Sequence, residues 1–121
     1  MAIGVILLNF GEPEQPTEEA VVPFLERIFA TNASLEGSVN EEQARARSRA
    51  LAVERAPGLI EEYLEIGGSP LNRQAAQQAE ALAAELARRG IAARTYVGMQ
   101  FTDPTIRSAV ERARADGVER L

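Results

Sequence analysis

The chain opens on a continuous apolar run, Ile3-Gly-Val-Ile-Leu-Leu8, which stops at Asn9 and Gly11. A run without alternation predicts a strand buried on both faces, as in a parallel sheet. Phe10-Gly-Glu-Pro-Glu-Gln-Pro16 then predicts a loop at the strand's C-terminal end, the end where open α/β sheets bind ligands. Phe10 reads either as a loop hydrophobe over the sheet edge or as a wall of that cleft. Thr17 is a candidate helix cap, with Glu18 and Glu19 favoured in the first turn. Pro23 is awkward inside a helix and moves the expected regular part nearer Val22. Phe24, Leu25, Ile28 and Phe29 form an apolar stripe at helical spacing, either core or the lip of a pocket.

Thr31 to Gly37 predicts a polar break, and Ser38-Val-Asn-Glu41 has the spacing of a capping box. Glu41 to Val53 is rich in Ala and Arg and strongly helical by propensity, with Arg45, Arg47 and Arg49 as a solvated face. Pro57 and Gly58 predict a second break. Arg55 stands just before it, and a short helix is expected from Leu59 to Ile66. The stretch Glu61-Glu-Tyr-Leu-Glu-Ile-Gly-Gly-Ser-Pro-Leu71 closes that helix, turns on two glycines and opens the next. Gly67 and Gly68 suit a helix C-terminus, where positive φ is needed. Ser69 is the expected N-cap and Pro70 the first helical residue. Backbone donors and a hydroxyl would then meet at one helix mouth, a place to hold a carboxylate, or the joint is only a helix-turn-helix.

From Pro70 to Arg89 the stripe Leu71, Ala75, Gln78 or Ala79, Leu82 and Leu86 predicts a helix ending at Gly90. Ile91 to Met99 predicts the second strand. Thr102 or Asp103 is the expected cap of a last helix opened by Pro104, with Ile106, Val110 and Ala113 facing inward and Asp116-Gly117 ending it. Val118 to Leu121 reads as the start of a third strand. The order β, helices, β, α, β predicts an α/β fold, a parallel-sheet layer sandwich of Rossmann-type topology with a helical insertion after the first strand. Residues 1–121 are expected to be one N-terminal domain, incomplete at its third strand.

Composition narrows the chemistry. Hydrophobic residues are 45% and charged residues 26%, as in ordinary globular proteins, and net charge is -5 without a basic run, which argues against nucleic acid. There is no Cys and no His, and all 13 basic residues are Arg. The commonest general base, metal ligand and Schiff-base former are all missing. No metal-ligand constellation is visible. Glu61, Glu62 and Glu65 share a helical turn and are expected to face solvent; Glu12 and Glu14 lie in the cleft loop and could meet a cation. The run Ile3–Leu8 is too short to cross a membrane and lacks a preceding basic segment, so the expected location is cytoplasmic.

Tyr63-Leu-Glu-Ile-Gly-Gly-Ser-Pro-Leu71 resembles the Y-x-x-I-G-G-G-S-P-L stretch of the ferrochelatases, with one glycine fewer. Gly4-Val-Ile-Leu-Leu-Asn-Phe-Gly-Glu-Pro13 is similar to that family's opening L-L-x-N-x-G-x-P, and Tyr96-Val-Gly-Met with Pro104 to its Y-x-G-x-x-x-x-x-P. The resemblance covers essentially the whole chain but only the first part of a ferrochelatase. It implies a chelatase-like fold and insertion of Fe²⁺ into a porphyrin, protoporphyrin IX or coproporphyrin III, in haem biosynthesis. Iron and porphyrin would be substrates, with no permanently bound cofactor.

The resemblance also implies porphyrin contacts at Arg55, Tyr63, Ser69, Phe10 and Ile28. An Arg fork suits a propionate carboxylate, and two hydroxyls can donate to the same groups. Phe10 stands where coproporphyrin-type members carry a tyrosine, a lean toward the protoporphyrin type. The His and Glu that handle pyrrole protons and iron in the family belong to later segments. The chain is therefore expected to supply a pocket wall, with catalysis needing a C-terminal half or a second chain. Two rival readings are a short stand-alone chelatase acting as a homodimer and a non-catalytic porphyrin-binding module.

Overall fold

In the computed structural model, which describes residues 1–36 and 40–121, the elements run β1 (Ile3–Asn9), α1 (Glu18–Glu36), α2 (Glu41–Glu65), α3 (Leu71–Arg88), β2 (Ala93–Met99) and α4 (Ile106–Ala115). They divide into two units, one of residues 1–11 and 70–121, the other of residues 12–69.

In the first unit β1 and β2 pair in parallel, from Ile3 opposite Ala93 to Asn9 opposite Met99. Helix α3 lies on one face, where the Thr95 hydroxyl donates to the Ala79 carbonyl at 2.9 Å. The next strand residue, Tyr96, packs against Ala109 and Ala113 of α4, with Ile6 and Val118 beside them. Consecutive strand residues point to opposite faces, so α3 and α4 sandwich the sheet. This is the expected layered α/β arrangement. The Tyr96 hydroxyl donates to Asp116 at 2.7 Å, tying the end of α4 to the sheet. On the free edge of β1, Gly4 N–H donates to the Arg120 carbonyl at 2.8 Å and Ile3 bridges Arg120 in parallel. Val118–Leu121 thus lies where a third strand was expected, as an isolated bridge.

Several boundaries differ from expectation. The second strand starts at Ala93, because Ile91 is spent closing α3: its N–H donates to the Leu86 carbonyl at 2.8 Å. The cap of α4 is Thr105, whose hydroxyl accepts from Ser108 N–H at 3.1 Å, and not Thr102 or Asp103. Ala109 and Ala113 are its buried face, while Ile106 and Val110 are exposed. The start of α4 approaches the sheet closely: a Cβ on Gly98 would lie 3.1 Å from Ile106 Cα and 3.3 Å from its Cγ1. On α3 the stripe resolves in favour of Ala79, which is buried with Ala75, whereas Gln78 is exposed.

In the second unit α1 and α2 pack together. Val21, Val22, Phe24 and Leu25 are buried on α1; Ser48, Ala52 and Ala56, one turn apart, are buried on α2. Both helices run through residues expected to break them. Helix α1 starts at Glu18, carries Pro23 and continues past Thr31 to Glu36; α2 carries Pro57 and Gly58 without interruption. A proline removes one helical donor. Pro23 and Pro57 are exposed, as are Glu19 and Val53 four residues before them, so water can serve the carbonyls left over. Burial of the opposite face then holds each helix together. Asn40 caps α2, accepting from Glu42 N–H at 2.8 Å. The expected capping-box serine, Ser38, lies outside the described residues.

Candidate functional site

Helix α2 carries two of the candidate residues and its terminal turn leads to a third. Gly67, with φ of 77°, donates its N–H to the Leu64 carbonyl at 3.2 Å; Gly68 N–H donates to the Tyr63 carbonyl at 2.8 Å. This pair of bonds is the Schellman closure, and it needs a left-handed residue where Gly67 stands. The glycines therefore satisfy the last carbonyls of α2, the Tyr63 carbonyl among them. Helix α3 opens one residue later than expected. Its cap is Pro70, without a side-chain cap bond, and Gln74 N–H donates to the Pro70 carbonyl at 2.8 Å. Ser69 is thus not the cap residue but the one before it.

Arg55 lies mid-helix, not before a break. Its Nη2 is 3.3 Å from both carboxylate oxygens of Glu62, and both side chains are about half exposed. Seven residues are nearly two full helical turns, so the pair lies along one face of α2. The Arg55 guanidinium also passes over Gly58, where an added Cβ would come 2.8 Å from Nη1. Tyr63 follows Glu62 directly and is half-buried. Burial raises its phenol above the ordinary value, and the charges of Glu12 and then Glu62 raise it further. The hydroxyl is consequently a hydrogen-bond donor across the neutral range. Ile28 is half-buried on α1 of the same unit.

Glu12 and Glu62 are the residues that sequence reasoning undervalued. Glu12 is only 5% exposed, unlike a solvated loop carboxylate. Glu62 faces solvent as expected, but it also pairs with Arg55. The i, i+7 spacing to Arg55 was the available signal, hidden by the break assumed at Pro57. Glu14, Glu61 and Glu65 are exposed. Among the described residues, no three His, Cys, Asp or Glu side chains gather in a way that could hold a metal ion.

Phe10 belongs to the sheet unit, at the C-terminal end of the parallel strands. The Phe10 carbonyl accepts from Phe101 N–H at 3.1 Å, and the two rings meet edge to face, 4.6 Å between centroids at 63°. Phe101 is buried while Phe10 is 48% exposed. Phe10 therefore presents a large apolar side at the end of the sheet where α/β ligands bind.

A family model described as Ferrochelatase matches residues 2–121. The chain belongs to the ferrochelatase family. It is 41% identical over 119 residues to a ferrochelatase of Synechococcus sp. (strain JA-3-3Ab), covering 98% of this chain and 34% of that protein. It is 38% identical to a ferrochelatase of Gloeobacter violaceus, of which it covers 36%, and 38% identical to the chloroplastic ferrochelatase-2 of Oryza sativa subsp. indica, of which it covers 23%. The chain thus spans about a third or less of these ferrochelatases. Among the described residues no helix is long and apolar enough to cross a membrane.

Proposed function

We propose that the full-length protein is a ferrochelatase, a lyase that inserts ferrous iron into a porphyrin for haem biosynthesis, and that these residues form part of its porphyrin pocket. The observation that carries this reading is the family match along residues 2–121. Iron and the porphyrin are substrates, and no permanently bound cofactor is required. The expected location is the cytoplasm, although the rice relative is named chloroplastic.

In this reading the chain binds and orients the macrocycle. The Arg55 fork pairs with a propionate, a charge-assisted bond stronger than a neutral one. The Tyr63 hydroxyl, kept protonated by burial and neighbouring carboxylates, donates to a carboxylate oxygen. Ser69 adds a hydroxyl after the glycine turn. Phe10 and Ile28 supply apolar contacts to the ring. Removing pyrrole protons needs a positioned base. The chain has no His, and the family resemblance assigns that step to residues outside these 121. The test is metallation by the full-length protein. Anaerobic incubation with Fe²⁺ and protoporphyrin IX should quench porphyrin fluorescence with turnover, and coproporphyrin III run in parallel would rank the substrates. No turnover with either porphyrin would overturn the reading.

A further inference from the structure

One nitrogen of the Arg55 guanidinium, Nη2, already has a carboxylate partner. Glu62 places both oxygens 3.3 Å from Arg55 Nη2, about two helical turns along the same face. Glu62 thus offers Arg55 the same chemical group that a propionate would bring. The same Glu62 charge acts on Tyr63, and Glu62 is the side chain between the two candidate donors on α2. The pair is solvated, 46% and 62% exposed, so nothing locks it shut. An exposed ion pair contributes little and exchanges readily.

The geometry points to Glu62 as an internal surrogate for the substrate carboxylate, one that holds the Arg55 fork in place and must be displaced when a porphyrin propionate binds. This inference rests on the proposed pairing of Arg55 with a propionate. It makes Glu62 a positioning residue that trades affinity for a pre-set fork. An incoming carboxylate exchanges one ion pair for another, and the released Glu62 turns to water. Ligands without carboxylates leave the Arg55–Glu62 pair intact.

The experiment titrates protoporphyrin IX and its dimethyl ester into the full-length protein, following porphyrin fluorescence. The proteins are wild type, Glu62→Gln, Arg55→Ala and the double variant. Glu62→Gln keeps the side chain's shape at an exposed position and removes its charge. It should bind the free acid about two- to fivefold more tightly, the range that the energy of an exposed ion pair converts to. Ester affinity should not change, and the gain should vanish when Arg55 is Ala. Unchanged or weaker free-acid binding in Glu62→Gln, with Arg55→Ala weakening it, would overturn the surrogate role while leaving the Arg55–propionate pairing intact. An equal gain in the Arg55→Ala background would also overturn it, because the effect would then be general repulsion. If Arg55→Ala leaves free-acid binding unchanged, the underlying pairing itself fails.

Discussion

Gly11→Ala should destabilise the protein by about 2–5 kcal/mol, through two separable causes. Gly11 closes β1 at φ of 88°, where an L side chain meets its own backbone. That conformation costs about 1–2 kcal/mol for a residue with a Cβ. The new methyl would also lie 2.3 Å from Thr102 Cγ2 and 3.2 Å from Met99 Cβ. Met99 is among the most completely buried side chains, so it cannot give way, and Thr102 must move with its loop. Overpacking of this kind costs about 1–3 kcal/mol. Gly117→Ala separates the causes: φ is 76° there, but nothing lies within 4 Å of the added carbon. It should cost only the backbone share, about 1–2 kcal/mol. Urea unfolding of the full-length protein, followed by far-UV CD, gives both values from the midpoint shift at constant slope. Equal losses in the two variants would refute the reasoning, since Thr102 would then yield freely and the loop behind Phe10 would not be tightly held.

Asn40→Ala removes the acceptor for Glu42 N–H at the start of α2 and should cost about 1 kcal/mol in the same unfolding experiment. Tyr63→Phe should weaken porphyrin binding about two- to tenfold, the worth of one hydrogen bond, in a fluorescence titration. Because the Tyr63 phenol is raised above its ordinary value near 10, the folded state favours the protonated form. Its contribution to folding stability is full below pH 10 and is lost as pH rises through the folded-state value. Its donor role follows the same window, so the share of affinity removed by Tyr63→Phe should stay constant from pH 7 to 9.

The sheet was legible because a six-residue apolar run has few alternatives. The glycine turn was equally readable, since left-handed backbone at a helix end leaves little choice beyond Gly67. The helical insertion was harder. Pro23 and Pro57 are strong local breakers, yet both stand on exposed faces, where water serves the carbonyl and the buried stripe of Ser48, Ala52 and Ala56 decides the outcome. Local propensity could not report that tertiary support. The error propagated to the site: with α2 cut at Pro57, Arg55 and Glu62 fell on different elements and their pairing was invisible. On α4, Ala113 of the expected inward set is buried together with Ala109, while Ile106 and Val110 are exposed.

The most direct test of the porphyrin-pocket reading is how Arg55 distinguishes a carboxylate from its ester. Free-acid protoporphyrin IX and its dimethyl ester are titrated into the full-length protein and into Arg55→Ala, at one pH and ionic strength. A charge-assisted bond that the bound porphyrin desolvates contributes about 1.5–3 kcal/mol, so its loss should weaken free-acid binding roughly tenfold to a hundredfold. Ester binding should stay within about twofold of wild type, because no carboxylate remains to be paired. Equal affinity of the free acid for both proteins, or an equal loss for acid and ester, would contradict the claim that α2 recognises the porphyrin through its propionate.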